Sequence, residues 1–254
     1  MTISFRYLLL LLLLTSCAAE TVVTDDPTPT EVGSFTDDFE TATNDFNLLF
    51  PADGARWTAV QQVDPSNGAN SISLTNEVVS SGSQALRVFA RSGDEPLSKM
   101  DIEKSGFMAS AGQRVIIEAD IRIDSDANLA NLLLIDLECC SCWDPSVPDN
   151  KCPGVRLMMS NENDFLSIER GKIGGATLRQ TTTPFPRFTW NSLRWEMVLS
   201  PDEDGQNSLW LNGTEIVQES GMNLPNAAVF AEQGANNGLD FVLQEPVFYE
   251  RLQI

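Results

Sequence analysis

The chain has 254 residues, with 16 basic against 36 acidic side chains, a formal charge of −20 and no histidine. That balance excludes a sequence-independent nucleic-acid binder, which needs a basic face, and argues against direct adhesion to anionic lipid. It also makes polyanionic glycans such as alginate or heparin poorer ligands, unless a local basic cleft overrides the net field.

Met1–Ser16 reads as an export leader, with one basic residue, Arg6, ahead of seven leucines, Leu8–Leu14. The apolar run is too short to span a bilayer. Leu14-Thr15-Ser16-Cys17 resembles the bacterial lipobox. The resemblance implies cleavage before Cys17 and diacylation of its sulfur, against the alternative of an ordinary signal peptide with an incidental cysteine. Two acyl chains would hold the protein at a membrane surface without making it span. The expected location is therefore exported and lipid-anchored to the bacterial membrane, at the outer membrane or cell surface. Loss of the leader removes only Arg6, leaving 15 basic against 36 acidic residues, or −21. Residues 17–33 are rich in Thr, Pro, Asp and Glu and read as a flexible tether.

From residue 34 to residue 254 the pattern is that of one domain, long enough to bury a core without metals. Ser34–Glu40 is expected as an opening strand, followed by Gln84–Ala90 with Leu86 and Val88 inward. Val115–Asp124 alternates strictly, with Glu118, Asp120 and Arg122 opposite its apolar set. Leu132–Glu138 places Asp136 and Glu138 in the same way, and Val155–Ser160 places Arg156. Phe165–Arg170 adds Ser167 and Glu169.

Between two of these strands lie Cys139, Cys140, Cys142 and Cys152. Four cysteines in one loop of an exported chain read as two disulfides. Adjacent Cα atoms stand about 3.8 Å apart, below the usual disulfide range of about 4.4–6.8 Å, which disfavours Cys139–Cys140. Of the two remaining pairings, Cys139–Cys142 with Cys140–Cys152 is the less strained. A four-cysteine zinc site is the competitor, but only Cys139–Cys142 has the C-x-x-C spacing.

The stretch Arg187–Gln218 reads as three strands in a row. Leu193, Trp195, Met197 and Leu199 alternate, Pro201–Gln206 is a turn cluster, and Ser208–Leu211 is the second strand. Asn212-Gly213 then supplies the positive φ angles of a tight type I′ hairpin, and Thr214–Gln218 returns. Gly238–Leu243 and Val247–Ile254 follow, the last expected to close the sandwich by pairing with Ser34–Glu40. Short strands, turn signals and the absence of helical periodicity predict an all-β sandwich of two antiparallel sheets.

The pattern from Trp190 to Val217, with its LWLNGTEIV run, resembles the concanavalin A-like lectin/glucanase superfamily, which includes laminin-G-like modules, bacterial beta-glucanases and polysaccharide lyases. The resemblance implies a jelly roll whose concave sheet carries sugars. Glu118, Asp120, Arg122, Asp136, Glu138 and Arg156 would then form a polar floor, if their strands are neighbours. The competing reading is a solvated face with cross-strand ion pairs. Trp143 and Trp210 are the stacking candidates, Trp210 being out of phase with Leu209 and Leu211. Beta-glucanases of the superfamily carry Glu-x-Asp-x-Glu on one strand; here Leu134 stands at the nucleophile position, ahead of Asp136 and Glu138. Lyases of the superfamily often use His and Tyr, and the mature chain has no histidine and only Tyr249.

The expectation is a surface lipoprotein that binds a glycan without catalysis. A glycan-cleaving enzyme and a structural or adhesive protein with no sugar site are the alternatives. No cofactor is required. Asp37 and Glu250 sit among apolar neighbours and are the candidate ligands of a structural Ca2+. The expected partners are a glycan and, through the anchor, a membrane; the sequence does not say which proteins it meets.

Overall fold

Alternation decides the architecture, because a strand that buries every second residue needs a second sheet to cover that face. The computed structural model describes residues 34–64, 66, 68–91, 98–127, 129, 132–139, 154–159, 163–171, 176–223, 238–244 and 248–249. The side chains at 105–108, 110, 138, 139, 171, 176, 238–244 and 248–249 fall outside that description.

After a 3-10 turn at Phe46–Leu49 come β1 (Ala59–Val63), β2 (Ser71–Thr75), β3 (Ala85–Phe89), β4 (Lys99–Ser110) and β5 (Arg114–Ile123). Then follow β6 (Leu132–Cys139), β7 (Gly154–Met159), β8 (Phe165–Gly171), β9 (Ala176–Pro184) and β10 (Asn191–Val198). The last are β11 (Gln206–Leu211), β12 (Thr214–Ser220), β13 (Gly238–Gln244) and β14 (Phe248–Tyr249). They form a jelly-roll sandwich of two seven-stranded sheets. The first has the order β1-β4-β13-β6-β7-β8-β9, the second β12-β11-β10-β5-β14-β3-β2. Pairing is antiparallel except at β14, which lies parallel to both β3 and β5.

One core fills the space between the sheets. Ile102, Leu137, Val155, Leu157 and Ile168 enter it from the first sheet, and Leu86, Ile117, Ile121, Leu193, Trp195, Met197 and Leu209 from the second. Asn212 (φ 51°) and Gly213 (φ 77°) form the expected hairpin between β11 and β12. Asn212 fastens it by accepting from Ser192 N at 2.9 Å and donating from Nδ2 to Asn191 Oδ1 at 2.9 Å. Among the described residues no helix is long and apolar enough to cross a membrane.

Two expectations need correction. Ser34–Glu40 is not a strand. Asp37 and Asp38 accept from the backbone N–H groups of Phe39 and Glu40, at 2.7 and 3.1 Å, and Phe39 takes φ 59°. Such side-chain bonds compete with a ladder. The closing segment pairs instead with β3 and β5 through Phe248 and Tyr249, and residues 250–254 lie outside the described part. Four strands went unread: β1, β2, β4 and β9.

Candidate functional site

The outward face of the first sheet carries a row of polar residues that its register lines up. Glu103 on β4 stands opposite Gln244 on β13, Gln244 opposite Asp136 on β6, Asp136 opposite Arg156 on β7, and Arg156 opposite Glu169 on β8. Strand alternation turns the side chains of Glu103, Asp136, Arg156 and Glu169 away from Ile102, Leu137, Val155, Leu157 and Ile168, which enter the core. Arg156 Nε donates to Asp136 Oδ2 at 2.9 Å, with both side chains fully buried. Ser167 Oγ donates to Glu169 Oε1 at 3.3 Å. Towards β1 the face continues with Lys99, Asp101 and Gln61: Lys99 Nζ lies 3.2 Å from Asp101 Oδ2 and donates to Gln61 Oε1, and Gln61 Nε2 donates to Glu103 Oε1. The face is thus bonded internally along much of its length. Such closure holds polar groups in fixed positions, as a recognition surface requires.

The sequence-based floor is divided by this topology. Asp136 and Arg156 share the first sheet, but Glu118, Asp120 and Arg122 belong to β5 in the second, so they cannot form one floor with them. Their face is the solvated one. Glu118 pairs with Arg194, Arg194 Nη2 lies 3.0 Å from Glu196 Oε2, and Arg114 pairs with Glu196. Arg122 Nε lies 2.7 Å from Asp124 Oδ1, and Asp120 accepts from Ser80 Oγ. Bonds from Arg114 first, and then from Arg194, hold the Glu196 carboxyl below its usual value. Trp210 does face away from Leu209, and the Arg194 guanidinium sits 5.7 Å from its ring centre. It belongs to this solvated face and stands on the other sheet from Asp136.

Asp37 meets its charge with an arginine. Arg56 grips both its oxygens, with Nε at 2.8 Å from Oδ2, and this bond raises the Arg56 pKa. Among the described residues no group of three or more His, Cys, Asp or Glu could hold a metal. Cys17, Cys140, Trp143, Cys142, Cys152 and Glu250 lie outside the described residues, as do the side chains of Glu138 and Cys139. By register Glu138 stands opposite Gly154 and Val242. Leu134 is a fully buried core residue beside a register shift between Leu133 and Ile135, so it does not continue the face of Asp136.

Sequence reading missed Lys99, Asp101, Glu103 and Gln61. The signal existed: in Lys99-Met100-Asp101-Ile102-Glu103 charged and apolar residues alternate, with Met100 and Ile102 in the core. A separate cavity of about 190 Å³, lined by Arg170, Leu178, Glu203, Asn207, Glu219 and Met222, lies at the β9 and β12 edges. Arg170 and Leu178 are on the core side of their strands, so this cavity does not extend the polar face.

A sandwich with a polar sheet face is one architecture of carbohydrate-active proteins. Residues 51–231 match the family described as polysaccharide lyase, and the chain belongs to that family. Among solved structures it is similar to the endo-beta-1,4-glucuronan lyase of the fungus Trichoderma reesei, at 12% identity over 74% of this chain and 91% of that one, TM-score 0.49. It is also similar to the cellulose induced protein Cip1, at 17% identity over 76% and 90%, TM-score 0.47. A third likeness is to an alginate lyase from Aplysia kurodai, at 14% identity over 69% and 87%, TM-score 0.45. At these identities the likeness concerns the course of the chain alone. No curated protein matches the sequence.

Proposed function

We propose that this is a lipid-anchored surface protein that binds a polysaccharide or oligosaccharide on the outward face of the first sheet, without cleaving it. The organisation from N- to C-terminus is a lipoprotein leader (1–16), a tether acylated at Cys17 (17–33) and the sandwich, which we place in the concanavalin A-like superfamily. The observation that carries the binding reading is the partly exposed polar row of Gln61, Lys99 and Glu103, which the register of the first sheet continues into the buried Asp136–Arg156 pair. Family membership supports a carbohydrate ligand. Carboxylates accept from sugar hydroxyls, and amide and ammonium groups donate to ring oxygens.

Absence of turnover is read from the sequence. Elimination next to a uronate carboxylate needs a base and a group that stabilises the enolate. The chain has no histidine, the mature part has only Tyr249, and Arg156 is engaged by a carboxylate. The second reading, a lyase, is favoured by the family match itself. One experiment separates them. Membranes from producing cells should retain fluorescent oligosaccharides, and Cys17→Ala should move both the protein and the retention to the soluble fraction. The ultraviolet absorbance of the unsaturated sugar that elimination creates should not rise in either. A steady rise would make the protein a lyase, and an unmodified Cys17 thiol by mass spectrometry would end the lipidation reading.

A further inference from the structure

The cavity at the β9 and β12 edges draws its walls from both sheets. Arg170 and Leu178 come from β8 and β9, Glu203 from the turn between β10 and β11, Asn207 from β11, and Met222 from the chain just after β12. The wall contributed by the second sheet is preformed. Asn223, fully buried, accepts from Ser200 N at 2.8 Å and donates from Nδ2 to Val198 O at 2.9 Å and Gln206 O at 3.0 Å, while its own N–H reaches Ser200 O at 3.0 Å. Gly221 N donates to Gly205 O at 2.8 Å, an approach so close that a Cβ on Gly205 would fall 2.3 Å from Gly221 O. Glu203 and Met222 flank these bonds, so their backbone is set before any ligand arrives, which lowers the cost of binding one.

Two charged groups on the cavity keep most of their bonding capacity. Arg170 makes one long bond, Nη1 to Met222 O at 3.4 Å, and has no carboxylate partner among the described residues. Glu203 is exposed and has no hydrogen-bond or ion-pair partner among them. Glu219, by contrast, lies 2.9 Å from Arg179. A guanidinium only donates and a carboxylate only accepts. An anionic ligand would gain Arg170 and be opposed by Glu203, and an ammonium would meet the reverse. A hydroxyl both donates and accepts, so a hydroxylated ring serves both walls. Leu178 and Met222 supply apolar surface for the carbon face of such a ring. A cavity of about 150 Å³ takes up benzene, so one of about 190 Å³ accommodates a single six-membered ring and not a row of them.

We propose that this cavity is a second carbohydrate site, separate from the polar face of the first sheet. It takes one pyranose ring, as a free monosaccharide or as the end of a glycan chain. Glu203 accepts from the ring's hydroxyls and Arg170 donates to them.

The test is a titration of the full lipoprotein in mild detergent, labelled at the methionine methyls and the tryptophan indole nitrogens. Met222 reports on the cavity directly, and Trp195 does so through its Nε1 bond to Asn207 Oδ1. The probes are glucose, galactose, mannose, xylose and glucuronate, the hexamers cellohexaose and laminarihexaose, and acetate as a bare carboxylate. At least one sugar should shift the Met222 methyl and the Trp195 indole together and to saturation. Equal affinity for a monosaccharide and its hexamer would identify a single-ring site, and a hexamer about tenfold tighter would identify a chain-end site. Glu203→Gln should weaken the response by about tenfold with an unchanged unfolding midpoint, the loss of one charged hydrogen bond at an exposed position. Leu178→Trp, which fills the cavity, should abolish it. A response to acetate and to no sugar would overturn the proposal, as would sugar shifts at Met222 that Glu203→Gln leaves intact. Sugar shifts confined to Gln61, Lys99 and Glu103 would also overturn it, while leaving the reading of the sheet face standing.

Discussion

Asp136→Ala is expected to destabilise the domain by about 3–5 kcal/mol, the usual cost of breaking a buried ion pair by removing one of its members. Arg156 cannot lose its proton and, fully buried, cannot turn to water. Its guanidinium would stand on the β7 face with its Asp136 bond gone. Urea denaturation should show a lower midpoint with an unchanged slope. Replacing both partners together, as Asp136→Leu with Arg156→Met, should restore most of the loss, since apolar groups of similar size need no partner. If Asp136→Ala instead left the midpoint in place and changed only glycan affinity, the pair would be part of an open floor, and the buried assignment would be wrong.

Trp195→Ala should cost a similar amount, about 3–5 kcal/mol, for a different reason. Trp195 is fully buried at the centre of β10, flanked by β5 and β11, and its removal leaves a cavity that the two sheets cannot close without moving. It also strands Asn207, whose Oδ1 accepts from Trp195 Nε1 at 3.3 Å. A typical domain holds about 5–15 kcal/mol in total, so the variant should lie near the limit of folding. Trp210 on the neighbouring strand provides the contrast. It lies partly exposed beneath Arg194, and Trp210→Ala should cost about 1 kcal/mol, the scale of a surface cation–π contact. Equal losses at the two positions would contradict the assignment of faces.

The strands with one apolar face were legible because burial leaves a period of two in the sequence. The runs through Val115–Asp124 and Leu193–Leu199 show it, and both lie within one residue or two of the observed ends. The unread strands are mostly edges. β1 and β9 bound the first sheet and β2 ends the second, and edge strands such as Ala176–Pro184 give the core few side chains, so their Gln and Thr residues leave no pattern. The Asn212-Gly213 turn was readable because its backbone angles demand those residue types.

The site was only half legible. Alternation says which residues share one strand's face, but not which strands are neighbours. Nothing in the spacing of Glu118, Asp120 and Arg122 distinguishes a sheet shared with Asp136 from the opposite one. That is a matter of long-range register, which the chain fixes only in three dimensions. The aspartates at positions 37 and 38 gave a different failure. Their side chains cap their own backbone and divert what the Phe35/Phe39 spacing suggests is a strand.

The claim that sugar binds the outward face of the first sheet is tested most directly by locating the bound glycan. Backbone amide shifts of the isotope-labelled protein, followed during titration with the tightest-binding oligosaccharide, should gather at Gln61, Lys99, Glu103, Ser167 and Glu169. Shifts gathered instead at Glu118, Arg194 and Trp210 would place the ligand on the opposite sheet and contradict the account.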